Sequence, residues 1–282
     1  MSEPNTVAGY RVVVKIAEGA HSTIYKCEAP EDGSIVAVKV LSPRAARVAT
    51  KLTQRLHKAW EGQRALKLVH PNVIRTFHAG QWGDTYFLVM EYLDGGNLSQ
   101  HIERNSPEIQ GRRIPLLCQA AHGLSYVHQS GIIHRDVCPR NFMLAADGTI
   151  KLIDFSVAMG VGDVLRNTGA RTGRPAYMAP EVIRENAFSE RSDIYAFGIT
   201  MYETLTGRRP FKGNDRYAAM YNQLNVNPIP PSRYNAAIPP ELEALVLRAM
   251  AKSPDERFRR MDELLVALTA MDEGFGAVRT RG

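Results

Sequence analysis

Asp136, Asn141 and Asp154 are the residues whose types and spacing most suggest chemistry. They lie in the runs His134-Arg135-Asp136-Val137-Cys138-Pro139-Arg140-Asn141 and Asp154-Phe155-Ser156, within one short strand-turn-strand passage. A carboxylate can accept a hydrogen bond from a hydroxyl and orient it for attack. An amide oxygen and a second carboxylate are hard ligands of the kind that Mg²⁺ takes together with phosphate oxygens. Phosphoryl transfer depends mainly on positioning and charge neutralisation, so a few rigid ligands and two cations suffice. A single Asp in a loop is most often a turn or cap residue. Three such groups at this spacing form a far more specific set.

The elements that must position them read as α+β. Residues 11–16, 23–28 and 35–41 are β-branched runs, with a turn signal at Glu31-Asp32-Gly33 between the last two. A helical stretch over 45–69 carries Leu52, Leu56, Ala59, Trp60 and Leu66 on one face and stops before His70-Pro71-Asn72. Two further strands are expected at 73–79 and 85–92. After Asp94-Gly95-Gly96 the pattern turns helical, with helices over 115–129, 192–206 and 240–250. Asp147-Gly148 marks a hairpin between two short strands. The result is a small sheet-rich lobe and a larger helical lobe, with a ligand cleft expected between them.

Composition narrows the class. The chain has 282 residues, 44% of them hydrophobic, enough for two modest lobes. No run of about 18 apolar residues is present, so no membrane span is expected. The opening residues carry no basic-then-apolar leader pattern. Cys27, Cys118 and Cys138 are sparse and lack metal-ligand spacing, which fits a reducing compartment; a cytoplasmic location is expected. The net charge of +6 is spread along the chain, and no nucleic-acid recognition module appears. Oligomeric state leaves no mark on the sequence.

The two runs resemble the protein-kinase catalytic loop (HRDLKPxN) and metal-binding motif (DFG), departing at Cys138 and Ser156. Val36-Ala37-Val38-Lys39 matches the strand motif V-A-I-K closely. Residues 9–270 therefore resemble one two-lobed kinase catalytic domain of bacterial Ser/Thr type (small lobe 9–90, hinge 91–96, large lobe 97–270). Residues 271–282 are left as a flexible tail. The resemblance implies that Asp136 orients the attacking hydroxyl and that Asn141 and Asp154 bind Mg²⁺, with Mn²⁺ as an alternative ion. It implies that Lys39 pairs with Glu61, ten residues before Pro71, and holds the ATP phosphates. Ala17-Glu18-Gly19-Ala20-His21-Ser22 stands at the glycine-rich loop and keeps only its middle glycine, Gly19. A residue other than Gly forced there to positive φ would cost about 1–2 kcal/mol. Ala17, Gly19, Ser22, Ile24, Ala37, Met90 and Met143 are the implied nucleotide contacts, and adenine is expected to bond the backbone of Glu91 and Leu93.

The departures carry their own expectations. Cys138 stands where Ser/Thr kinases usually have a lysine facing the transferred phosphoryl group, and a thiol cannot supply that charge. Arg140 is the expected substitute cation. Ser156, in place of glycine, should stiffen its turn. Arg174 replaces the threonine of the GTPxY pattern and either approaches Asp136 or turns outward toward an acidic substrate. Ala179-Pro180-Glu181 resembles APE; Glu181 is expected to pair with Arg257, and Asp193 to accept from the catalytic-loop backbone. Thr168 and Thr172 are candidate phosphorylation sites, with Arg135 as the phosphate partner. A polypeptide substrate with Ser/Thr acceptors is implied. The alternative is a pseudokinase scaffold that acts through partners, favoured by the worn loop, Cys138 and Ser156.

Overall fold

Val, Ile, Thr and Tyr recur through residues 10–41, and such stiff side chains suit a pleated sheet. The computed structural model describes residues 4–47, 61–156, 158–160 and 173–279, with the side chains of Glu61, Met159 and 273–279 outside the description. The chain divides into two compact units, Met1–Asp94 and Gly95–Gly282.

The first unit is an antiparallel six-stranded sheet of β1 (Thr6–Val7), β2 (Tyr10–Glu18), β3 (Ser22–Glu28), β4 (Ile35–Leu41), β5 (Thr76–Trp82) and β6 (Thr85–Glu91). The strand order is β1-β2-β3-β4-β6-β5. Register shifts in the β2–β3 ladder, at Val12/Val14 and Lys15/Ala17, add local twist and curl the sheet. Alternation sorts the side chains by face. Val36, Val38, Phe87 and Val89 join Cys27 and Val7 in a small core on one face. The strand expected at 73–79 lies three residues later, at β5. The two-residue turn Gly83-Asp84, with Gly83 at φ 57°, pairs Trp82 with Thr85 and so sets the register. Val73 and Ile74 are buried ahead of the strand rather than in it. Of the expected 45–69 helix, residues 43–47 and α1 (Glu61–Ala65) are helical, and 48–60 lie outside the described residues. The Ser42 hydroxyl caps the first stretch by accepting from Ala45 N–H.

The second unit is mostly helical. Its helices are α2 (Leu98–Arg104), α3 (Arg113–Gln129), α4 (Pro180–Glu185), α5 (Glu190–Thr206), α6 (Arg216–Asn225), α7 (Pro240–Ala249) and α8 (Met261–Arg279). The stripe Leu116, Leu117, Ala120, Ala121, Leu124 and Val127 on α3 is fully buried, as its helical spacing predicts. α5 is buried on nearly every side and forms the axis of the unit. It begins at a capping box in which Ser189 and Ser192 exchange side-chain and backbone hydrogen bonds. α8 continues through 271–279, residues that Gly and Arg content alone would leave as a tail. Two short pairings carry the candidate site: β7 (Ile132–Ile133) with β10 (Met159–Gly160), and β8 (Phe142–Leu144) with β9 (Ile150–Leu152). The β8–β9 turn holds Gly148 at φ 78°, as Asp-Gly predicts. Among the described residues no helix is long and apolar enough to cross a membrane.

Candidate active site

In the first unit, cross-strand pairing collects the expected nucleotide contacts. Ile24 on β3 lies opposite Ala17 on β2 and opposite Lys39 on β4, and Ala37 lies opposite Met90 on β6. Directly opposed residues share a face, and so do Ala37 and Lys39, two apart on one strand. Ala17, Ile24, Ala37, Lys39 and Met90 therefore line one face of the sheet, opposite the small core. Lys39 is 4% exposed, a burial that an ammonium tolerates only with polar or anionic company. The Glu61 side chain lies outside the described residues, so the expected Lys39–Glu61 pair does too.

The β2–β3 turn corrects the expectation of backbone strain. None of Ala17, Gly19 and Ser22 takes a positive φ. Ala17 and Ser22 are strand residues, and the Gly19 N–H donates to Ser22 O at 2.9 Å. The tip is also tied to the end of β4, where Ser42 donates from N–H to His21 O and from its hydroxyl to Ala20 O. Missing glycines therefore cost the hairpin no strain. At the other end of the sheet the Glu91 N–H donates to Arg75 O, and its carboxylate accepts from Arg75 N–H. Leu93 is buried and makes no backbone pair among the described residues.

In the second unit, Asp193 near the start of α5 holds the catalytic loop. Its two oxygens accept from His134 N–H (2.7 Å), Arg135 N–H (2.9 Å) and the His128 ring (2.9 Å). These bonds hold Arg135 at φ 70°, a left-handed conformation rare for a bulky residue. His134 is fully buried. Its Nδ1 accepts from Asp136 N–H, so Nε2 carries the proton and donates to Ile153 O at 3.0 Å. The Pro139–Asn141 turn then brings Asn141 back onto Asp136, with Nδ2 donating to Asp136 O (2.7 Å) and Oδ2 (3.0 Å). Burial raises the Asp136 carboxyl above its ordinary range; the Arg174 guanidinium and the Asn141 hydrogen bond pull it back, and the like charge of Asp154 pushes it up.

The Asn141 amide nitrogen is committed to Asp136, which leaves its oxygen as the atom for a cation. Asp154 is exposed, at φ 63°, and close enough to Asp136 for their charges to oppose each other. Two oxygen donors beside mutually repelling carboxylates fit Mg²⁺ or Mn²⁺ held partly by phosphate. Among the described residues no trio of His, Cys, Asp or Glu could hold a metal alone. The Ser156 N–H and hydroxyl both donate to Asp154 Oδ1. Phe155 packs edge-on against His134, ring centroids 5.2 Å apart.

Arg174 turns inward. Its Nη1 stands 2.7 Å from Cys138 Sγ and 3.7 Å from Asp136 Oδ2. Burial pushes the Cys138 thiol up to about 11, so at neutral pH it carries no charge. Arg140, the expected substitute cation, is exposed; the guanidinium beside Asp136 belongs to Arg174. Met143 sits half-buried on β8 and bridges to Asn97.

The protein kinase domain family matches residues 10–266. This chain belongs to that family. It is 37% identical over 246 residues to the serine/threonine-protein kinase PknB of Mycolicibacterium smegmatis, covering 85% of this chain and 39% of the relative. It is 35% identical to PknB of Mycobacterium tuberculosis over the same shares. It is 30% identical over 256 residues to the serine/threonine-protein kinase PrkC of Bacillus subtilis, covering 90% and 39%. The chain thus spans about two fifths of the length of these relatives.

Other kinase-domain contacts were expected or went unseen. Arg257 and Glu181 pair bidentately at 2.7 and 2.8 Å, as expected from APE. Thr168 and Thr172 lie outside the described residues. Arg135 is buried against the Phe188 ring at 3.9 Å, and burial lowers its pKa to about 10. Sequence reasoning missed the anchors behind Arg174. Tyr177 donates to Glu203 at 2.6 Å, and the fully buried Gln223 donates to Ala176 O at 2.5 Å while accepting from Tyr195. Gln223 reads as an ordinary polar residue of an amphipathic helix. Its partner is 47 residues away, beyond any periodicity signal.

Proposed function

We infer that the chain transfers the γ-phosphoryl group of MgATP to Ser or Thr hydroxyls of protein substrates, its own activation segment (the stretch between Asp154 and Glu181) among them, with Thr168 and Thr172 as acceptors and Arg135 as their phosphate partner. The observation that carries this is the cluster of Asp136, Asn141 and Asp154, held by Asn141 Nδ2 and by the backbone bonds to Asp193. Asp136 accepts the hydrogen bond of the attacking hydroxyl and orients it. Asn141 and Asp154 hold the metal, and Lys39 with Glu61 holds the phosphates. When bound, Mg²⁺ neutralises the triphosphate and fixes its geometry. The polypeptide acceptor is supported by the serine/threonine-protein kinases PknB and PrkC among the relatives, and the cytoplasm by three buried free thiols.

One observation favours the scaffold reading. Both Ser156 donors occupy Asp154 Oδ1, where they compete with a cation. The test is transfer of label from MgATP to a generic protein substrate by the wild type and by Asp136→Asn. Label in the wild type alone supports the kinase. Silence in both, with thermal stabilisation by nucleotide, supports the scaffold.

A further inference from the structure

We propose that Arg174 is the cationic positioning residue of phosphoryl transfer in this chain, holding Asp136 and facing the transferred group from the activation segment. This rests on the kinase reading above. In that reaction the bond from the γ-phosphorus to the β–γ bridging oxygen breaks, and ADP leaves with the electron pair. The acceptor oxygen bonds to the phosphorus, and its proton passes to Asp136. A cation beside Asp136 keeps the carboxylate aimed and balances the charge on the moving phosphoryl group.

Position, chemistry and anchoring support the assignment. Arg174 Nη1 touches Cys138 Sγ and lies 3.7 Å from Asp136 Oδ2. The uncharged thiol is only a weak acceptor, so the guanidinium charge acts mainly on Asp136. Arg has five N–H donors in a fixed fork, and the Arg174 side chain is 41% exposed, so donors remain for an anion. The substitutions at 138 and 174 are complementary in volume: the short thiol leaves the room that the long arginine fills. Gly173, at φ 97°, lets the chain pass so close that a Cβ there would sit 3.0 Å from Arg135 O. Beyond Arg174, the Tyr177–Glu203 and Gln223–Ala176 bonds fix the segment. A lysine in the catalytic loop would be present whatever the activation segment does. Arg174 supplies the charge only while the segment is docked, so charge delivery and segment order become one event.

The experiment compares wild type, Arg174→Ala, Arg174→Lys and the double variant Cys138→Lys/Arg174→Thr, each checked for cooperative thermal unfolding. For Arg174→Ala the expected loss in kcat is about 100-fold, with the ATP KM changed by less than about threefold, since the lost interaction belongs to the transition state. Arg174→Lys should fall between, and the double variant should return to within about tenfold of wild type. Maleimide labelling of Cys138 gives a readout independent of turnover: Arg174→Ala should speed it at least about fivefold by uncovering Sγ. An active wild type with Arg174→Ala within about twofold in kcat overturns the proposal alone. Unchanged Cys138 labelling, or a folded double variant as inactive as Arg174→Ala, overturns it too. A silent wild type removes the kinase reading and the proposal together.

Discussion

Replacing Glu181 with Ala should cost the second unit about 3–5 kcal/mol, the usual penalty for stranding one member of a buried pair. The geometry puts this pair in that class. The Arg257 side chain is fully buried and that of Glu181 is 14% exposed. All five guanidinium N–H groups are used: Nε on Ala251 O, Nη1 on Glu181 Oε1 and Arg191 O, and Nη2 on Glu181 Oε2 and Lys252 O. Arg257 also lies over the Tyr195 ring, 4.7 Å from its centroid. Without Glu181, two donors and the whole charge lose their partner where water scarcely reaches. At about 2–4 °C per kcal/mol for a domain of this size, the melting temperature should fall by roughly 6–20 °C. Glu181→Asp keeps the charge but, one methylene shorter, reaches one donor at best; it should lose about 1.5–3 kcal/mol, one charge-assisted hydrogen bond. Urea unfolding of the three proteins reads the series. Glu181→Ala within about 1 kcal/mol of wild type would refute the reasoning, since the pair would then behave as an exposed one. Equal losses for Asp and Ala would refute the part assigned to charge.

Two further perturbations probe the loop and the metal side. Asp193→Asn puts an NH₂ group where two backbone N–H groups and the His128 ring now find acceptors; amide exchange at His134 and Arg135 should speed at least about tenfold, and kcat should fall by up to about 100-fold as Asp136 is misplaced, while unchanged exchange would show that the loop holds itself. Ser156→Gly removes the hydroxyl donor from Asp154 Oδ1 and leaves the backbone N–H there; the Mg²⁺ concentration that half-saturates thermal stabilisation by nucleotide should fall at least about twofold, about 0.4 kcal/mol in metal affinity, and a rise would show that the hydroxyl orients Asp154 for the ion rather than competing with it.

Much of this could be read in advance because the signals were local. Ile35–Leu41 is a strand with the bounds its β-branched run suggests, and the α3 stripe is buried as its spacing requires. Pairing register, by contrast, is set by turns, so β5 slid by three residues once Gly83-Asp84 fixed the hairpin. The capping boxes at Asn97-Gln100 and Ser189-Ser192 begin helices whose starts the hydrophobic pattern blurs. In the site, the types and order of Asp136, Asn141 and Asp154 were legible. What the sequence left open is which cation faces Asp136, since Arg174 could approach it or turn outward. Arg140 is near in sequence but exposed, whereas Arg174 is 38 residues away and adjacent in space. Linear proximity carries no information about such closure, and the anchors that produce it, Gln223 and Glu203, carry no local signature.

The residues at 138, 156 and 174, where the sequence departs from the motifs it resembles, each make a specific contact in the site. At Ser156 the glycine's freedom is not used, because the left-handed residue of that turn is Asp154 itself, at φ 63°. Serine therefore adds no backbone strain there and contributes a hydroxyl to the carboxylate beside it. At 138 and 174 a thiol and an arginine touch each other, and the arginine stands by Asp136. The Asp193 brace, which holds Arg135 in an unfavourable conformation, fixes the loop that carries Asp136. Backbone strain maintained by three buried hydrogen bonds has a continuing stability cost, and the position it secures is that of Asp136.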